Sequence, residues 1–211
     1  LVSGVSLVDV VWSQSDVLAQ EILVSSSFIE ELRSGQLTQS RYTNFIQQEA
    51  LYLHRVSSTL EALISRLQEA DDVRSLLLDT LKHYSRTNQS LLASPPPQWL
   101  VVSLQSFHSV VLEEPVYWLV ALSARACLRN FLFSELGPDA RRGSEVKGGD
   151  LYEEWRDDAL WEVTWTHRFR QVLEEQQEHV DVYKAVNVFR AHMMNQKSFY
   201  KAVDCDEEDQ R

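Results

Sequence analysis

Glu49 is a carboxylate at a position where a helix would be expected to be apolar. In "RYTNFIQQEALYL" and the residues after it, Tyr42, Phe45, Glu49, Tyr52 with Leu53, Val56, Leu60, Leu63 and Leu67 recur in steps of three and four. On a helix this spacing draws one continuous stripe, with Glu49 inside it and aimed at the interior. A buried carboxylate without a partner is costly and tends to protonate. Glu49 therefore either faces a ligand cavity or completes a structural hydrogen-bond network, for instance with a tyrosine hydroxyl. Both readings stay open at this level.

Two further stripes carry polar groups. Leu151, Trp155, Asp158, Glu162, Trp165, Phe169 and Val172 form one, and its two acids read as rim or surface residues. Val182, Phe189, His192 with Met193, Gln196, Phe199 with Tyr200, and Val203 form the other. Inward polar groups on separate helices point to a polar pocket inside a bundle, where such sites are commonly built. Of the histidines His54, His83, His108, His167, His179 and His192, only His192 lies on an inward stripe. Glu175 and His179 stand four apart on one helix face, yet the histidines read as structural and no metal site is expected. There is no Gly-x-Ser-x-Gly elbow and no phosphate-binding glycine loop. The six Trp and seven Tyr read as core anchors.

The elements that must position these groups are helical. Glycine and proline are scarce, six and five, and they cluster at Pro95-Pro96-Pro97, Gly137-Pro138 and "RRGSEVKGGD". Between these points the hydrophobic period is that of a helix, with no convincing strand run. Helices are predicted near 5–24, 25–33, 38–69, 71–91, 97–112, 115–136, 149–178 and 180–203, the last two counted as two elements or one. Thr38 is placed to cap the third. Ala121, Ser123, Ala124 and Ala126 permit a close neighbour to the helix that starts at Pro115. The expected architecture is an all-α single-domain bundle of seven or eight helices over residues 1–203, followed by a solvated acidic tail over 204–211.

A chain of 211 residues with 44% hydrophobic residues can bury a core, so global disorder is not expected. Its formal charge of -11 argues against nonspecific nucleic-acid binding and against anionic membranes. The longest apolar runs fall short of the roughly 20 residues of a membrane span. Cys127 and Cys205 make neither a disulfide framework nor a Cys-x-x-Cys knuckle, which places the protein in a reducing compartment. The N-terminal apolar stretch lacks a basic flank, so no signal peptide is expected. An intracellular, cytoplasmic protein follows, with organelle import left open.

The stretch around Glu49 resembles a signature of the heme-oxygenase-like superfamily. In TenA-type thiaminases the corresponding helix has a Phe or Tyr, then "QD", then "YYL". "SSSFIEELRSGQL" resembles that family's lead-in, with Ser26-Ser27 in place of His-Pro. "EEPVYWLVALSARA" resembles its "PCYWLY" helix, "DLYEEWRDD" its "Y..W" segment, and "NQKSFYKAV" its closing acid-then-"FW" segment. Heme oxygenases are similar over Phe28 to Tyr42, and their "YLGDLSGGQVL" helix can be laid over "WLVALSARACL", Trp118 to Leu128.

The resemblance implies a central cavity with Gln48, Glu49, Tyr52, Val116, Tyr117, Gln196 and Tyr200 as ligand-binding residues. Glu49 and Tyr52 would be catalytic if the chain is active. It also marks departures. Val116 falls on the family's nucleophilic cysteine and cannot form a covalent adduct. Gln196 falls near its late catalytic glutamate and cannot act as an acid–base group. Gln20 takes the place of the proximal heme histidine, and Val120, Ala121, Ala124 and Arg125 stand where distal glycines would let heme approach, so no cofactor is expected. The expected role is a catalytically degenerate binding or interaction protein, with a small aromatic or heterocyclic ligand as partner and self-association open. The alternatives are an aminopyrimidine hydrolase using Glu49, or a variant heme oxygenase.

Overall fold

The computed structural model describes residues 4–85, 96–140 and 149–209. Among the described residues there are nine α-helices and no strand. They are α1 (Leu7–Ser13), α2 (Asp16–Ser25), α3 (Ser27–Ser34), α4 (Gln39–Ile64), α5 (Asp72–Tyr84), α6 (Gln98–Val110), α7 (Pro115–Ala140), α8 (Gly149–Gln176) and α9 (Val182–Asp209), with a 3₁₀ turn at Gln177–His179. Local signals set many of these bounds. Thr38 Oγ1 accepts from the Arg41 N–H at the head of α4, and Asp71 does the same for Arg74 at the head of α5. Ser26 caps α3, which ends on Gly35 in the left-handed region at φ 76°. Pro115 opens α7, where its missing N–H costs nothing.

α7 lies at the centre and packs against α8 and α9 over most of its length, with α2, α3, α5 and α6 also in contact. Every residue from Val116 to Arg129 is buried. The small residues predicted to admit a neighbour do so. Ala126 is buried under α8, and its carbonyl accepts from Thr166 Oγ1 at 3.1 Å. Over Pro115–Gly137, α7 is long and apolar enough to cross a membrane by length and composition, and here other helices cover it.

Two boundaries differ from the sequence reading. The predicted helix over 5–24 is two helices, broken at Gln14 and the buried Ser15, which lets α1 and α2 each lie against α9. Ser13, Gln14 and Ser15 supply little helix propensity to resist that turn. Gly137-Pro138, read as a break, lies inside the last turns of α7. Residues 86–91 of the predicted fourth helix lie outside the described residues.

The acidic run from Asp204 begins inside α9, which continues to Asp209. Asp204 also has a structural task. Its Oδ1 accepts from Ser27 Oγ at 2.9 Å, Phe28 N at 3.0 Å and Ser26 Oγ at 3.3 Å, so α9 caps the head of α3. Arg41 ties the same corner by donating to the Val203 carbonyl at 2.9 Å and to Glu31 Oε2 at 3.0 Å. Asp204→Ala is expected to cost about 2 kcal/mol, since a cap is worth roughly 0.5–2 and this one accepts from several donors. Urea unfolding would show the loss. Lys201→Ala, an exposed residue on the same helix, serves as the control, with no change expected.

Candidate functional site: a buried ion network on α4, α7 and α8

Glu49 is turned inward, as its stripe requires, and two arginines meet it there. Arg125 and Arg129 stand four residues apart on α7, hence on one face. Arg125 Nη2 donates to Glu49 Oε2 at 2.5 Å and its Nε to the same oxygen at 3.2 Å. Arg129 Nη2 donates to Glu49 Oε1 at 2.5 Å. The remaining arm of Arg125, Nη1, donates to Glu162 Oε1 on α8. His83 Nε2 of α5 lies 3.8 Å from that oxygen. Two carboxylates and two guanidinia thus form a neutral quartet across three helices. Aromatic rings surround it: Tyr84 lies under the Arg125 guanidinium and Phe45 under that of Arg129, each with 5.8 Å between guanidinium carbon and ring centroid.

Charge pairing wins over burial in this quartet. Burial pushes the Glu49 carboxyl up, but Arg129 and Arg125 outweigh it and hold it below the ordinary carboxylate range. Glu162 is likewise pushed up by burial and pulled down by Arg125 and His83, to about 2. The surrounding phenols move the other way. Burial raises Tyr52 and Tyr200 to about 12, and Tyr84 further. Around pH 7 the site therefore holds two ionised carboxylates, two guanidinium ions and neutral tyrosines.

A cavity adjoins the quartet, lined by Glu49, Tyr52, Trp99, Ser103, Arg125, Asn195, Gln196 and Phe199. Its volume is about 10 Å³. On that measure one water needs roughly 10–15 Å³, so a heterocyclic ring does not fit while Arg125 stays in place. Asn195 Nδ2 is buried at the cavity with no hydrogen-bond partner among the described residues.

The structure gathers some predicted site residues and separates others. Glu49, Tyr52 and Gln196 line the small cavity, and Gln48 Oε1 accepts from Trp99 Nε1 at 3.2 Å beside it. Tyr200 is buried against Phe45, with ring centroids 5.9 Å apart. Val116 sits nine residues before Arg125, about 14 Å along the axis at 1.5 Å per residue. It lines a different and larger cleft of about 340 Å³ with Leu67, Val73, Pro115 and His179. Tyr117 accepts from the Asp181 N–H at 2.9 Å and carries Lys184 over its ring, so it braces the head of α9. Gln20 is exposed on α2.

Glu162 is a correction: read as a rim or surface acid, it is buried in the network, whereas Asp158 is exposed. Sequence reasoning missed Arg125 and Arg129 as partners of Glu49. The signal was present, since they are the only charges in α7 between Pro115 and Phe133 and share a face. His192 is buried, and its Nδ1 lies 2.9 Å from the Val188 carbonyl. A carbonyl only accepts, so Nδ1 carries the proton, and burial keeps the ring neutral by lowering its pKa. Among the described residues no group of three or more His, Cys, Asp or Glu is arranged to hold a metal ion.

No protein-family model matches the chain, and no curated protein sequence does. Solved structures do. A TenA homologue protein from P. horikoshii OT3 superposes with a TM-score of 0.77 over 94% of this chain and 98% of that one, at 16% identity. A TenA family transcription regulator from Silicibacter sp. TM1040 gives 0.71 over 93% and 96%, at 12% identity. The chain has the TenA-type, heme-oxygenase-like fold. The match spans nearly the whole of all three chains, so the TenA-like bundle accounts for the complete architecture described above. At these identities the likeness concerns the fold, and the quartet in this TenA-like interior is read from its own residues.

The quartet and His192 make stability depend on pH with a definite sign. Glu49 and Glu162 have folded-state pKa values below their unfolded value near 4.5, so their contribution is complete above that pH and is lost as pH falls toward 2. His192 is held below its unfolded value of 6.5, so its contribution is complete above pH 6.5 and is lost as pH falls through that range. Urea unfolding at stepped pH is expected to show a shallow decline below about 6.5 and a steeper one below about 4.5. His192→Gln is expected to remove the shallow limb and leave the steep one.

Proposed function

We propose that this TenA-like chain is catalytically degenerate and acts as a binding or interaction protein. The observation that carries the reading is the pairing of both Glu49 oxygens with Arg125 and Arg129. A general base must be free to take a proton, with a pKa near the working pH. Glu49 is held ionised, below the ordinary range, and faces guanidinia rather than an open cavity. Other groups do not replace it. Burial raises the Cys127 thiol to about 12, far from the thiolate a nucleophile needs. Gln196, although at the cavity, has no titratable proton. For a small aromatic or heterocyclic ligand, the cleft beside Val116 has the volume that the interior lacks.

Purified protein tests this. Incubation with an aminopyrimidine is expected to give no turnover, and added heme is expected to give no protein-dependent Soret band. Aminopyrimidine turnover that disappears in Glu49→Gln would overturn the reading in favour of a hydrolase. A stable Soret complex would overturn it in favour of a variant oxygenase.

A further inference from the structure

α8 has a second face that the bundle does not use. At 100° per residue, Leu160, Glu153, Thr164, Asp157 and Trp161 fall within an arc of about 100°, with Glu154 and Asp158 on its flank. All seven are exposed. The opposite arc, with Trp155, Ala159, Glu162 and Thr166, is buried. Trp161 is 61% exposed and Leu160 42%. A tryptophan this open, beside a half-open leucine, forms an apolar step on an otherwise polar helix. Its surroundings are acidic: residues 153–158 carry Glu153, Glu154, Asp157 and Asp158 against Arg156 alone, four negative charges and one positive, net −3. None of the four has an ion-pair partner among the described residues.

We propose that this face docks a basic protein segment whose apolar side chain seats on Trp161 and Leu160. Charge chooses the occupant. Two copies of this chain meeting face to face would set net −3 against net −3, which disfavours self-association here. Phosphate backbones and anionic lipid carry the wrong sign. A Lys- or Arg-rich segment supplies the complement to the four carboxylates, and its cations can also lie over the open indole of Trp161. Tryptophan is among the residue types that most often anchor an interface. This surface deepens the reading of the chain as an interaction protein and does not depend on the state of Glu49. Turnover of an aminopyrimidine would end that reading and leave the surface standing, whereas the experiment below tests the surface alone.

The probe is a fluorescently labelled amphipathic helical peptide of lysine and leucine, titrated with the full chain and followed by anisotropy. A glutamate–leucine peptide of equal length is the control. Binding is expected for the basic peptide and not for the acidic one, and it should weaken as salt is raised. Trp161→Ala is expected to weaken it about tenfold or more. Glu153→Lys with Asp157→Lys is expected to abolish it. Glu61→Lys with Glu69→Lys, an equal charge change on exposed acids elsewhere, is expected to leave most of it. Circular dichroism would verify that each variant is folded. The proposal fails if the basic peptide does not bind, if the distant charge pair weakens binding as much as the α8 pair, or if Trp161→Ala binds like the parent. It also fails if sedimentation shows a dimer that Trp161→Ala dissociates, since the occupant is then a second copy.

Discussion

Arg125→Ala is expected to destabilise the fold by about 3–5 kcal/mol, the cost of breaking a buried ion pair by removing one partner. Arg125 spans α4 and α8 through Glu49 and Glu162, so its loss leaves Glu49 on Arg129 alone and Glu162 with only His83, 3.8 Å away. The neutral quartet becomes net negative in an interior that disfavours charge, and the removed side chain leaves a void. For a chain of this size the melting temperature should fall by roughly 6–20 °C. The pH dependence should also change sign. In the parent both carboxylates are held below their unfolded value, so stability falls as pH falls. In the variant the least compensated carboxyl is pushed above its unfolded value. Its folded form then binds more protons than its unfolded form, and stability falls as pH rises from about 4.5. Urea unfolding at pH 5 and pH 8 separates the two behaviours. A double variant, Arg125→Met with Glu162→Gln, removes one charge of each sign, leaves Glu49 paired with Arg129, and is expected to recover much of the loss. A variant that simply packed badly would recover nothing.

Phe45→Ala is expected to cost a similar 3–5 kcal/mol, for a different reason. Phe45 is fully buried and stacks on Phe28, with ring centroids 4.2 Å apart and planes within 14°. Phe199 and Tyr200 tilt against it at 5.4 and 5.9 Å. These contacts join α3, α4 and α9, and truncation would leave a void that three elements must share. Phe45 also forms the floor under Arg129. Losing that ring should loosen the guanidinium that holds Glu49 Oε1, so Phe45→Ala and Arg129→Met should not be additive. A double-mutant cycle by urea unfolding is expected to give a coupling of about 0.5–2 kcal/mol. Phe45→Leu, which restores much of the apolar volume but not the ring face, should recover a large part of the packing loss and little of the coupling.

Both results would follow from a TenA-like fold whose interior beside Glu49 is packed with paired charges and aromatic rings. The P. horikoshii and Silicibacter proteins share the bundle. In this chain, Arg125 and Arg129 occupy the space beside the inward acid of α4. On the readings proposed above, ligand binding would fall to the cleft at Val116 and partner binding to the acidic, tryptophan-bearing face of α8.

Much of this was legible in the residues alone. The steps of three and four from Tyr42 to Leu67 specify a helix and the side of it that Glu49 takes, because side-chain direction on a helix is a local property. Thr38, Asp71 and Gly35 mark helix ends through hydrogen bonds and dihedral angles made within a few residues. The helical class and the inward acid were therefore determined by the sequence itself. What that acid would meet was not. Arg125 is 76 residues from Glu49, and Glu162 is 37 from Arg125. Periodicity says which way a side chain points relative to its own axis, and nothing in it says which helix lies opposite or at what height. Glu162 looked like a rim residue because its stripe also holds the exposed Asp158. Only the packing of α8 on α7 turned one inward and left the other in solvent. The separation of Val116 from Glu49 arose in the same way, since distance along α7 becomes distance between sites once neighbouring helices fix where each cavity can form.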